Sequence, residues 1–138
     1  MLNHTLIHPE ILDAIGAAGH GSRILIADGN YPASTKCGEN SELVYLNLTP
    51  GSPTVTAVLD VLLTAIPVED AMVMVPADGS EPPIFAEFRE RLGNVALTPS
   101  DRFAFYDEAG SPDTCLTIVT GEQRIYANLL LTIGVRMA

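Results

Sequence analysis

The chain contains no tryptophan, only 2 cysteines, and 7 basic residues against 17 acidic ones. Without tryptophan, an aromatic platform for a ligand has to come from the 4 tyrosines and 4 phenylalanines. Cys37 and Cys115 lie far apart in sequence and form no metal-type pair, so two reduced thiols are expected rather than a disulfide. The shortage of cations leaves a net charge of −10. Such a chain repels phosphate backbones and anionic lipid, which excludes nucleic acid and membrane surfaces as partners and leaves small uncharged ligands open.

Long apolar runs are also missing. The longest candidate, residues 55–66, is interrupted by Asp60 and followed by Pro67, well short of the ~20 residues that span a bilayer. Met1-Leu2-Asn3-His4-Thr5 lacks the basic and apolar regions of a signal peptide, so a cytoplasmic location is expected. There is no P-loop, no His-Glu-x-x-His and no Gly-x-Ser-x-Gly. Gly16-Ala17-Ala18-Gly19-His20-Gly21 has its glycines in the wrong order for a dinucleotide fingerprint and precedes a strand instead of following one. His4, His8 and His20 have no ligand spacing, so no metal is expected.

What is present fits a single domain over residues 1–138, with 47% hydrophobic residues and a mean hydropathy of +0.26. That apolar content is high for a small monomer and points to surface buried between subunits. His8-Pro9-Glu10 reads as a helix start, and the stretch from Gly16 to Gly19 as its end. Residues 23–28 form a continuous apolar run closed by a carboxylate, the pattern of a buried strand. Residues 29–40 read as a polar loop, and residues 43–48 as a second strand. Ser52-Pro53 is expected to cap a helix whose apolar residues run from Val55 to Ile66 at helical spacing. Further strands are expected at 71–75, 95–97, 115–120 and 127–135, with helices over 82–92 and from Ser100-Asp101 onward. This alternation predicts an α/β fold, a mostly parallel sheet with helices on its faces, and ligands at the carboxyl ends of its strands.

Four groups of side chains could carry chemistry there. His20 sits between glycines just after a helix, either as a cap answering the helix dipole or as an uncrowded proton carrier. Asp28 closes its strand either as an Asx turn or as a carboxylate at the ligand edge. Tyr126 and Asn128 flank Ala127 in a segment read as extended, which would put both side chains on one face. Arg102 and Tyr106 stand one helical turn apart and either cover a helix surface or face a ligand.

Taken in order along the chain, these pieces carry a resemblance. Gly19-His20-Gly21, then Ala27-Asp28-Gly29-Asn30-Tyr31-Pro32, Arg102-Phe103-Ala104-Phe105-Tyr106, Ile118-Val119-Thr120-Gly121-Glu122 and Tyr126-Ala127-Asn128-Leu129 resemble the D-ribose pyranase and L-fucose mutarotase family. The Arg-Phe-Ala-Phe-Tyr element is similar to the fucose-type branch. The resemblance implies a Rossmann-like three-layer α/β subunit, no cofactor, a free monosaccharide as ligand, and ring-shaped homo-oligomers, commonly stacked into decamers, with sites near subunit boundaries. It implies His20 as proton donor and Asp28, Arg102, Tyr126, Ala127 and Asn128 as sugar contacts. The implied reaction is anomer exchange of an aldose such as L-fucose. Its rivals are ribopyranose–ribofuranose interconversion and sugar binding without turnover. On the implied mechanism, Asp28 fixes either a sugar hydroxyl or the imidazole tautomer.

Overall fold

A computed structural model describes all of residues 1–138. Its elements are α1 (Pro9–Ala17), β1 (Arg23–Ala27), α2 (Ala33–Lys36), β2 (Glu42–Tyr45), α3 (Val55–Leu62), β3 (Val68–Met74), α4 (Ile84–Leu92), β4 (Leu97–Ser100), α5 (Arg102–Ala109), β5 (Thr114–Val119) and β6 (Leu129–Ile133). The strands form one sheet in the order β2-β5-β1-β6-β3-β4. The β1–β5, β2–β5 and β3–β4 pairs are parallel, and β6 runs antiparallel between β1 and β3. Because β6 is reversed, its first residues lie at the edge where the other strands end.

The strands are apolar on both faces because helices cover both. In β1, Ile24 and Ile26 join a 21-residue core with α1, α3 and α4, whereas Leu25 and Ala27 join a 9-residue core with α2 and α5. Leu129 and Leu131 of β6 go to the larger core and Leu130 to the smaller, as the two-residue period of a strand requires. Phe88 and Phe105, both at 0% exposure, anchor one core each. Truncating either to alanine is expected to cost about 3–5 kcal/mol. Pro99 is accommodated in β4 because that strand lies at the sheet's margin and needs no donor on its outer side.

Local chemistry sets the helix starts. The His8 Nδ1 accepts from the Ile11 amide at 3.4 Å, with Pro9 in the first turn, as the sequence indicates. The cap of α3 is Thr54, accepting from Ala57 at 3.2 Å, rather than the expected Ser52-Pro53. Asp101 caps α5 by accepting from Ala104 at 3.0 Å. Other expectations shift: the second strand ends at Tyr45, the third begins at Val68, and the last spans Leu129–Ile133. The loop at 29–40 contains the one-turn helix α2. The helix of residues 55–66 ends its regular part at Leu62. The fourth strand starts at Leu97, two residues later than expected.

Candidate active site

Asp28 follows β1 at the carboxyl edge and is 3% exposed. Its Oδ1 accepts from the Asn30 amide at 2.9 Å, so the Asx turn exists. Its Oδ2 accepts from Asn128 Nδ2 at 3.0 Å, while the Asp28 amide donates to Asn128 Oδ1 at 2.8 Å. This reciprocal pair fixes the orientation of both side chains. Burial pushes the Asp28 carboxyl above the ordinary carboxylate range, and its hydrogen bonds pull in the other direction.

Beside this pair opens a cavity of about 310 Å³. Arg102 and Tyr106 reach it from α5, Met74 from the end of β3, Tyr31 from the turn after β1, and Tyr126 and Asn128 from the segment before β6. Arg102 forms none of the ion pairs in the chain, so its guanidinium is free to donate to a ligand. The aromatic wall is tied together by edge contacts, with Tyr31 and Tyr106 rings 5.4 Å apart at 77°. Four of the expected contact residues, Asp28, Arg102, Tyr126 and Asn128, therefore meet at one cavity.

The backbone route to that cavity differs from expectation. Tyr126 is not extended but left-handed, with φ +58°. Alternation along a strand therefore does not govern where Tyr126 and Asn128 point. The physical cause lies upstream, where Glu122 is 3% exposed and its carboxylate is saturated with donors. It accepts from the Arg124 amide at 3.1 Å, from Arg124 Nε and Nη2 at 2.9 Å each, and from the Val55 amide at 3.2 Å. Arg124 continues to Glu87 of α4. This clamp folds residues 122–126 into a tight turn instead of a strand. Ala127 is fully buried and gives the cavity no side chain; its main chain lies against the Asp28 carboxylate.

His20 is elsewhere. It precedes β1, whereas Asp28 follows it, and the five steps from Arg23 to Asp28 alone cover roughly 17 Å at about 3.3 Å each. The turn carrying His20 is held at the opposite edge by the Gly21 amide donating to Ile133 at 2.9 Å, and Gly21 itself is left-handed at φ +85°. The helix cap there is Ala18 rather than His20. The imidazole Nε2 lies 3.0 Å from both Glu69 carboxylate oxygens, with the two side chains 58% and 46% exposed. A carboxylate only accepts, so Nε2 is the donor of this contact, and Nδ1 makes no hydrogen bond within the subunit. Within one subunit Glu69, and not Asp28, orients the ring.

The RbsD / FucU transport protein family model matches residues 1–136. The chain belongs to that family. Human fucose mutarotase is 31% identical to it, covering 94% of this chain and 90% of its own length. A D-ribose pyranase of Clostridium botulinum is 28% identical over 98% of both chains. The crystal structure of the Streptococcus pneumoniae fucose mutarotase in complex with L-fucose superposes with a TM-score of 0.84 at 26% identity, covering 99% of this chain and 100% of that one.

Sequence reasoning missed Glu69 as the partner of His20 and Tyr31 as a wall of the cavity, and left the role of Tyr106 open. Glu69 is 49 positions from His20 and meets it only because β3 starts where β6 ends. No local signal marks it. Tyr31 entered only as part of a quoted motif, and its ring becomes a wall because α5 packs over it. Tyr106 was legible through its one-turn spacing from Arg102, and both residues line the cavity.

Proposed function

We propose that the protein is a sugar mutarotase, an isomerase that exchanges the anomers of a free aldose, with L-fucose or a sugar of similar hydroxyl stereochemistry as substrate. The observation that carries this reading is the Asp28–Asn128 pair opening, with the unpaired Arg102, into a cavity of about 310 Å³. Asp28 accepts from one sugar hydroxyl, Arg102 spans two neighbouring hydroxyls with its planar fork, and Tyr126 and Asn128 complete the hold. Main-chain groups of Ala127 set the position of the Asp28 carboxylate.

Mutarotation removes the proton of the anomeric hydroxyl while the bond from the anomeric carbon to the ring oxygen breaks and that oxygen is protonated. Reclosure on the other carbonyl face inverts the centre and returns the proton. No electrons or groups are transferred. The reaction needs a side chain that can both give and take a proton, and in this reading His20 is that group, held by Glu69. Since His20 and Asp28 lie at opposite edges of one subunit, the working site forms where the His20 edge of one copy meets the cavity of the next. Repeating that head-to-tail contact closes a ring, which stacks into a decamer in this reading. The two unpaired thiols suit a reducing compartment, and the cytoplasm is the proposed location.

The test is NMR exchange spectroscopy on both anomeric protons across a panel of aldoses. L-fucose is expected to exchange well above the solvent rate and faster than D-ribose. Because relatives of both activities match the chain, preference for D-ribose would move the protein to ribopyranose–ribofuranose interconversion. Binding without faster exchange for every sugar would leave a sugar-binding protein.

A further inference from the structure

A second cavity, about 490 Å³, lies beside the first at the carboxyl ends of β1, β2 and β5. The two share Asn30. Apart from Leu48 and Pro50, its lining is polar and uncharged in effect. Asn30, Asn47 and Gln123 present carboxamides and Thr49 a hydroxyl, and none of these side-chain groups hydrogen-bonds within the protein. The one ionisable lining residue, Glu122, is neutralised by Arg124 and turned inward.

The cavity is also built before any ligand arrives. Its floor is the Gly121 main chain, where a Cβ would stand 2.3 Å from the Thr49 carbonyl oxygen and 2.5 Å from that of Ser52. No other residue permits that approach. The wall of residues 47–52 is tied down by the Gly51 amide to the Gly121 carbonyl at 2.5 Å, the Gly121 amide to Pro53 at 3.0 Å, and the Leu48 amide to Ser52 at 3.1 Å. Gln123 Oε1 lies 3.4 Å from where a Cβ on Gly51 would be, so its carboxamide is laid against this wall.

Carboxamides both donate and accept, as sugar hydroxyls do, and an uncharged lining in a chain of net charge −10 selects neutral ligands. We propose that the second cavity is a subsite for a further neutral sugar unit, so that the enzyme takes the reducing end of a disaccharide in the first cavity and the linked unit in the second, across Asn30. This rests on the mutarotase reading above. The chemistry is unchanged, because only the reducing-end unit has a free anomeric hydroxyl.

The experiment compares L-fucose with galactosyl-(1→2)-, (1→3)- and (1→4)-linked L-fucose by NMR exchange, using the full chain as it assembles. At least one linkage is expected to show a KM about tenfold below that of L-fucose, the effect of two or three added hydrogen bonds. The double variant Asn47→Ala/Gln123→Ala, whose altered side chains are exposed and unbonded, is expected to fold normally. It should return the disaccharide KM to that of L-fucose and leave L-fucose exchange unchanged. Disaccharides that exchange at the solvent rate, or no better than L-fucose, overturn the subsite, as does a variant that weakens both sugars alike. Methyl glycosides of the same disaccharides cannot ring-open, so saturation-transfer NMR reads their binding apart from turnover. If they bind through Asn47 and Gln123 while L-fucose does not exchange, the mutarotase reading fails and the subsite stands.

Discussion

His20 and Asp28 stand at opposite ends of β1, one before the strand and one after it. Each has its own partner at its own edge: Glu69 for His20 and Asn128 for Asp28. On the proposed reading a single subunit carries two half-sites, one to move a proton and one to hold a sugar. The consequences can be separated by mutation, because each half is built from different elements.

If His20 moves the proton, His20→Ala should remove most anomer exchange, by about 10²-fold or more, while saturation-transfer NMR still detects L-fucose. His20→Gln is the stricter variant, since it keeps volume and hydrogen bonding but cannot titrate near neutrality. Exchange at the wild-type rate in His20→Gln removes His20 from the mechanism.

Glu69→Gln should act through His20 and not through the sugar. The carboxylate lies 3.0 Å from Nε2 and, as a pure acceptor, favours a hydrogen there. An amide in its place can donate as well as accept and no longer selects one tautomer. Turnover is expected to fall by about tenfold, the low end of what an orienting partner of a histidine supplies, with KM for L-fucose unchanged. A rise in KM with full turnover would instead make Glu69 a sugar contact.

The Glu122 clamp predicts how stability changes with pH. The Arg124 guanidinium holds the Glu122 carboxyl below the usual glutamate range. A lowered folded value means the unfolded chain binds more protons below about pH 4.3, so this contribution is present above that value and lost as pH falls through the folded one. The raised carboxyl of Asp28 works in the opposite sense, adding stability when protonated and losing it as pH rises through its folded value. Glu122→Gln should cost about 2–4 kcal/mol at neutral pH and flatten the loss in acid. Urea unfolding across an acid-to-neutral pH series reads both effects, and a parallel displacement at all pH values would contradict the clamp.

Tyr31 gives a stability test independent of turnover. Its hydroxyl is buried without a hydrogen-bond partner, and burial raises its pKa. An unpaired buried hydroxyl costs about 1–3 kcal/mol, so Tyr31→Phe should raise stability by about 1 kcal/mol while preserving the edge contacts to Phe105 and Tyr106. A lower melting temperature would show that the hydroxyl has a partner in solution.

How far the sequence could be read depended on the range of each interaction. The strand at residues 23–28 was legible because a buried parallel strand is apolar without alternation. Helix starts at Pro9 and Asp101 were legible because capping acts within three residues. The segment before β6 misled, since Tyr126-Ala127-Asn128 reads as strand entry and the buried carboxylate of Glu122 bends it. Asp28 meets Asn128 across 100 positions and His20 meets Glu69 across 49, and sheet order alone creates both encounters. Sheet order is set by packing of the whole chain, which no local pattern encodes.

The proposed division of the site between copies has its own test. His20→Ala leaves an intact cavity, and Asp28→Asn leaves an intact His20–Glu69 edge, so each variant alone should form inactive assemblies. Co-refolded in equal amounts, they form mixed rings. A contact works when the cavity comes from a His20→Ala copy and the adjoining edge from an Asp28→Asn copy. Random mixing makes about a quarter of the contacts of this kind in a head-to-tail ring. Anomer exchange should therefore return to about a quarter of the wild-type rate per subunit, whereas the separately refolded variants, combined just before measurement, should stay inactive until subunits exchange. Light scattering must show the same assembly size for wild type and mixture. Full inactivity of the co-refolded sample at that size would mean that His20 and Asp28 never serve one sugar.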